Sequence, residues 1–294
     1  MCQQKRILRV HKHSLLTCKM TYSSLTKTIL ITGASEGIGA ECARLFSKTS
    51  SNLVLVARTK SNLDTLVREL SEDCNIISVP MDVGSIDDCK SLFEQIENQF
   101  GCIDVLINNA GMHERGDFQN LNVESIVKTV DVNLRAPLVL SSMAIPLMRK
   151  SGKGSIVMVA SLAGMSPLQG AAIYSSTKAG LRAFAYALYD ELRESNIHVG
   201  IVSPGPVETG FIMSSIDDVE DIVFSQPMSS PQQVARAIKT VSDGEKLEIA
   251  IPKMSGVLAT MAYLFPKLRR AMRPGLYAKG KKNKEKYRRE KGNG

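Results

Sequence analysis

Short runs of aliphatic and β-branched residues recur along this chain, each followed by a polar loop and then by a longer stretch with helical spacing of its apolar positions. The runs are Thr28 to Thr32, Leu53 to Ala57, Ile76 to Val79, Val105 to Asn108, Ser155 to Val159, Val199 to Val202 and Leu247 to Ile251. They are continuously apolar rather than alternating, as parallel strands buried on both faces require. Helices are expected over Ile38 to Lys48, Leu63 to Leu70, Ile86 to Gln99, Val123 to Arg149, Tyr174 to Glu194 and Pro231 to Val241. Such alternation implies an α/β protein: one doubly wound, mostly parallel sheet of seven strands with helices on both faces. No internal repeat or linker divides this body, which is expected over 26–252, between a basic extension at 1–25 and an apolar, then basic, tail at 253–294.

Composition changes this picture little. Hydrophobic residues make up 44% and charged residues 22% of 294, which excludes a disordered, collagenous or coiled-coil chain. The net charge of +8 is concentrated at the ends. Residues 1–19 hold five basic residues and no acid, and Pro266 onward holds 12 against two acids, which leaves the body at −7. Tyr277 and Tyr287 alone interrupt the terminal basic run, too few aromatics for a nucleic-acid surface, so no nucleic acid is expected.

The six cysteines (Cys2, Cys18, Cys42, Cys74, Cys89, Cys102) show no CxxC spacing and read as scattered thiols of a reducing, intracellular compartment. His11, His13, His113 and His198 are dispersed, so no metal site is expected. The leader lacks the apolar core of a secretory signal. Its acid-free character suits an organellar transit peptide, a plain extension, or translation from Met20. Met254 to Phe265 is apolar over 12 residues, short of the roughly 20 that span a bilayer. Followed by Lys267, Arg269, Arg270 and Arg273, it suits peripheral contact with an anionic membrane surface, closure over a pocket, or packing on a partner subunit.

The first strand-to-helix turn carries the first chemistry: Thr32-Gly33-Ala34-Ser35-Glu36-Gly37-Ile38-Gly39. Glycines there let backbone amides approach a pyrophosphate at the positive end of the next helix. Three glycines alone are weak evidence; their position after the first strand and before the first helix gives them weight. At the end of the second strand stands Arg58, where an acid would bind the 2′-hydroxyl of NAD and a guanidinium pairs with the 2′-phosphate of NADP. NADP(H) is therefore expected ahead of NAD(H), with Glu36 as a mild counterweight.

With Asn108-Asn109-Ala110-Gly111 after the fourth strand, the sequence resembles the short-chain dehydrogenase/reductase family, with its TGxxxGxG turn and NNAG motif, over roughly Thr26 to Pro252. The resemblance implies a Rossmann-type domain, cofactor contacts from Gly33, Ser35, Gly37, Ile38 and Gly39, and an adenine pocket bounded by Asp82, Val83, Asn109, Ala110 and Gly111. It also gives meaning to Tyr174 and Lys178, whose spacing of four puts both on one helix face. A phenol with a pKa of about 10 is a poor base near neutrality, but an adjacent ammonium stabilises its phenolate. Tyr174 then serves as acid for ketone reduction and as base for alcohol oxidation.

By the same resemblance Lys178 holds the nicotinamide ribose, Ser161 polarises the substrate oxygen, and Asn133 anchors a water in a proton relay. Ser203-Pro204-Gly205-Pro206-Val207-Glu208-Thr209 matches the family's turn beside the nicotinamide. Val207 would meet its carboxamide and Thr209 the pyrophosphate, with pro-S hydride transfer expected.

Phe211 to Met228 occupies the position of the family's substrate lid. Its apolar residues, with Met165 and Leu168, suggest a lipophilic carbonyl or alcohol of acyl, steroid, retinoid or sphingoid type. Ala179, Gly180, Ala183, Ala185 and Ala187 on the Tyr174 helix suit a homodimer or homotetramer. Two rival readings stand beside the enzyme: a silent dinucleotide-binding protein, which would need a broken catalytic set, and a tether whose basic tail dominates its role.

Overall fold

The computed structural model describes residues 26–49, 51–70, 74–214 and 216–292, with side chains as far as 289. The basic extension expected at 1–25 lies outside them, with Cys2, Cys18, His11 and His13. Seven strands form one sheet: β1 (Lys27–Thr32), β2 (Ser51–Ala57), β3 (Asn75–Pro80), β4 (Val105–Asn108), β5 (Gly154–Val159), β6 (Ile197–Pro204) and β7 (Glu248–Ile251). Their order is β3-β2-β1-β4-β5-β6-β7, and every pairing is parallel.

The helices are α1 (Gly37–Ser47), α2 (Lys60–Leu70), α3 (Ile86–Phe100), α4 (Val123–Val130), α5 (Ala136–Ser151), α6 (Leu162–Met165), α7 (Ala172–Glu191), α8 (Gly210–Met213), α9 (Pro231–Ser242), α10 (Lys253–Leu264) and α11 (Pro266–Gly292). Successive strand residues point to opposite faces, so an unbroken apolar run needs a core on each side. Leu30, Val54, Leu106 and Ile156 join Leu92 and Ile96 of α3, Leu140 of α5 and Leu181 of α7. Ile29, Leu53, Ile107 and Val157 join Phe46 of α1, Leu63 of α2 and Ile238 of α9. All eight strand residues are 0% exposed. Burial of each such side chain contributes roughly 1.5–3 kcal/mol.

The helix expected as one piece from Val123 to Arg149 is interrupted. Between α4 and α5 lies a π-helical turn, Asp131–Arg135, that carries the fully buried Asn133. The widened turn aims the Asn133 amide at the backbone of Met112 rather than along the helix.

The C-terminal segment is folded over the molecule. The helix α11 packs on the segment that follows β6, where Ile212, Ile216, Val219 and Phe224 form a small core of their own with Tyr287. Lys284, 7% exposed, donates to the carbonyls of Asp217 at 3.1 Å and Val219 at 2.6 Å and pairs with Asp221 at 3.3 Å. Contact is close enough that a Cβ on Gly280 would meet the Asp221 carbonyl oxygen at 1.8 Å. Replacing Lys284 by Met leaves those acceptors unpaired. We expect a loss of about 1.5–3 kcal/mol, read by chemical denaturation, with faster proteolysis within 217–225; unchanged resistance to protease would show that Lys284 does not hold this segment.

Candidate active site

On leaving β1 the chain builds β2 and β3 on one side of it, then returns to build β4 on the other. Loops at the carboxyl ends of β1 and β4 therefore diverge, and an open α/β sheet has its crevice at that point. A cleft of about 770 Å³ occupies it, running from Arg58 past Tyr174 to α10 and α11.

The glycine turn floors one end. Gly33 has φ +64°, a conformation costly for any residue with a Cβ, and a Cβ on Gly39 would sit 2.1 Å from the Gly33 carbonyl oxygen. Among the described residues no side chain caps the amino end of α1, which leaves its first amides for an anion. Asn109 braces the turn from β4, its amide donating to the carbonyls of Thr32 at 2.9 Å and Gly33 at 3.1 Å. The amides of Asn109 and Ala110 both donate to the Thr32 hydroxyl at 3.0 Å. This bare, rigid cradle fits a dinucleotide pyrophosphate.

Beyond the turn, Arg58 stands exposed at the end of β2, and Asp82 and Val83 line the same wall. Asp82 accepts from the Gly84 amide at 3.0 Å and lies 3.6 Å from Lys128, while Ser85 caps α3. Across from the turn, a Cβ on Gly37 would come within 3.0 Å of the Thr209 methyl. Pro204, Gly205 and Val207 line the middle of the cleft.

Asn133, Ser161, Tyr174 and Lys178 converge around that middle. The buried Lys178 ammonium donates to the Val159 carbonyl at 2.8 Å and lies 5.8 Å from the centre of the Tyr174 ring. Burial pushes it down to about 8. Burial raises the Tyr174 phenol, while a hydrogen bond from Ser161 and the charge of Arg115 pull it down in part. Ser161 also donates to the Pro204 carbonyl at 3.4 Å, which ties β5 to the turn after β6. Asn133 exchanges two hydrogen bonds of 2.8 Å with Met112 and donates to Thr177 at 3.3 Å. A Cβ on Gly111 would stand 3.5 Å from the Asn133 amide oxygen and 3.6 Å from the Lys178 nitrogen, so the Asn109-Ala110-Gly111 turn is wedged between them.

Two residues at this centre, His113 and Arg115, were not singled out as site residues in the sequence, and they meet Phe211 of the expected lid. His113 stacks on Tyr174 with ring centres 4.2 Å apart, and its buried Nε2 has no hydrogen-bonding partner among the described residues. Burial, with Arg115 and Lys178 near, lowers its pKa to about 3, so the ring is neutral. Phe211 lies 6.3 Å from both rings, and Arg115 donates to its carbonyl at 3.2 Å. Neither His113 nor Arg115 carries a local pattern; only the return of β4 to the cleft brings them beside Tyr174.

Known proteins bear on this geometry. The family model for short chain dehydrogenase matches residues 27–220. The chain belongs to this family. Among the short-chain dehydrogenases similar to it is a protein of Nostoc sp. strain PCC 7120 named ketoacyl reductase HetN, 34% identical over 72% of this chain and 75% of that one. An Arabidopsis thaliana protein named 11-beta-hydroxysteroid dehydrogenase-like 2 is 34% identical over 69% and 67%. A Schizosaccharomyces pombe protein named NADP-dependent 3-hydroxy acid dehydrogenase is 34% identical over 63% and 73%. The crystal structure of a short-chain type dehydrogenase/reductase from Mycobacterium marinum shares the fold, with a TM-score of 0.71 at 23% identity, over 77% of this chain and 94% of that one. The chain is thus an oxidoreductase of the short-chain type.

Because the folded His113 binds its proton far more weakly than an unfolded histidine of pKa about 6.5, the unfolded state holds more protons between those values. Stability is therefore lost as pH falls from about 6.5 toward the folded value near 3. An NMR titration should find the His113 ring neutral through pH of about 5; protonation near the ordinary value would refute its burial against Tyr174.

Proposed function

We propose that the protein is an NADP(H)-dependent reductase or dehydrogenase that interconverts a lipophilic ketone and its secondary alcohol, with Tyr174 moving the proton. The observation that carries this reading is the convergence of Ser161, Tyr174 and Lys178 in one cleft whose far end presents Arg58. A bound nicotinamide dinucleotide supplies or takes up the hydride at the reacting carbon. Tyr174 gives its proton to the substrate oxygen in reduction and takes it back in oxidation. Lys178 steadies the phenolate as it forms, and Ser161 orients the oxygen. Asn133 holds the 109–112 turn against Lys178, a positioning role to which the family resemblance adds a water-mediated relay.

The planar fork of Arg58 suits a 2′-phosphate, and no acid competes at the end of β2. The name of the Schizosaccharomyces pombe relative points the same way. A lipophilic substrate is supported by the outer walls of the cleft, where Leu168, Phe211, Ile212, Leu258, Met261 and Met272 gather. The relatives named for ketoacyl, hydroxysteroid and 3-hydroxy acid chemistry keep the acyl and steroid classes foremost. Exposed Val123 and Val127 of α4 beside Ala179, Ala183 and Ala187 of α7 support a homodimer or homotetramer.

Tyr174→Phe should cut turnover of a hydrophobic ketone by about 10²–10⁴-fold while NADPH fluorescence still reports binding. Full turnover in that variant would sink the assignment. Arg58→Glu should weaken NADPH by roughly 10–100-fold and leave NADH little changed; a preference of the wild type for NADH would refute the Arg58 argument. Because Lys178 must be protonated to steady the phenolate, kcat/KM for reduction should fall as pH rises through about 8. A profile flat across that range would remove Lys178 from the mechanism.

A further inference from the structure

The helix α10 turns an apolar face outward. Its inner side is small, with Gly256 so close to Ala250 that a Cβ would meet the alanine methyl at 2.3 Å. Its outer side carries Met254, Val257, Leu258, Met261 and Leu264 at helical spacing, and the row continues through Phe265, Leu268 and Met272. These eight side chains are 46–67% exposed. An apolar row of this length left uncovered marks a contact with something apolar.

Charge narrows what covers it. Exposed Lys253 and Lys267 flank the row, Arg269, Arg270 and Arg273 follow on the adjoining cleft wall, where Arg273 donates to Gln169, and no acid occurs from residue 249 to 284. A second copy docked through this face about a two-fold axis would set these cations against their own images. An anionic lipid surface instead accepts both the apolar row and the cations. With 12 residues α10 does not cross a bilayer, and none of the described helices is long and apolar enough to do so.

We propose that the outer face of α10 and the start of α11 dock in the plane of a membrane that contains anionic lipid, with the cleft opening onto that membrane. Leu258, Met261, Leu268 and Met272 belong to the exposed row and to the cleft wall alike. A lipophilic molecule leaving the bilayer there enters the cleft without crossing water. Only this delivery step rests on the cleft taking a lipophilic substrate; the docking does not.

The test is sedimentation of the full chain with vesicles of phosphatidylcholine alone and of phosphatidylcholine mixed with phosphatidylglycerol. The wild type should pellet with the mixed vesicles and be released by salt. Val257→Asp with Leu264→Asp, neither of which lines the cleft, should stay in solution while keeping NADPH binding and turnover of a water-soluble ketone. Lys253→Glu with Lys267→Glu should lose the preference for phosphatidylglycerol. Failure of the wild type to pellet, or pelleting of the aspartate variant like the wild type, would overturn the proposal. So would light scattering that shows the aspartate variant falling from oligomer to monomer without lipid, since a second copy would then be the cover. Because pelleting needs no substrate, it is read even if no ketone is turned over.

Discussion

A sheet whose strands all run one way cannot return by a tight hairpin; every strand must be reached by a crossover that lies on one face or the other. Here the crossovers cover both faces, and the order reverses between β1 and β4. That reversal parts two neighbouring loops and opens the cleft. The glycine turn at the end of β1 and the Asn109-Ala110-Gly111 turn at the end of β4 are its two lips, and Asn109 bonds one to the other. Ser161 after β5 and Tyr174 and Lys178 of α7 reach the same opening because β5 is the next strand in line.

The polar groups at the centre of the cleft are buried, and this shapes their charges. Lys178 is an ammonium whose one hydrogen-bonding partner among the described residues is a carbonyl, with no carboxylate to neutralise it. Such a cation is costly to bury, and the falling pKa expresses the cost. The same burial lifts the phenol of Tyr174 and strips the proton from His113. Three groups thus depart from their solution behaviour for a shared reason. A poorly solvated cation of this kind is stabilised by any anion placed beside it, which is what the proposed phenolate of Tyr174 would be.

Much of this was legible from residue order. The strands could be read because both faces are buried, which removes polar residues from the run and makes it unmistakable. The glycine turn and the Tyr174–Lys178 pair could be read because their pattern is a spacing along one element. What escaped depends on contacts made across the fold. The π turn at Asp131–Arg135 follows from the pull of Met112 on Asn133, and nothing in its local composition distinguishes it from ordinary helix. His113 and Arg115 sit in a loop without pattern. The terminal basic run looked like a solvated extension because lysines dominate it; only the carbonyls of Asp217 and Val219 turn Lys284 inward.

The clasp made by Lys284 also orders events in time. Among the described elements α11 is the last to be synthesised, yet it holds the segment between β6 and α9 that walls the cleft. The glycine turn, Arg58 and the Asn109-Ala110-Gly111 turn all precede β5 in the chain, and the two cores on the sheet are complete with α9. Everything that floors the cleft is therefore made before the one helix that clasps its outer wall, so the floor and the wall are separable in order of synthesis.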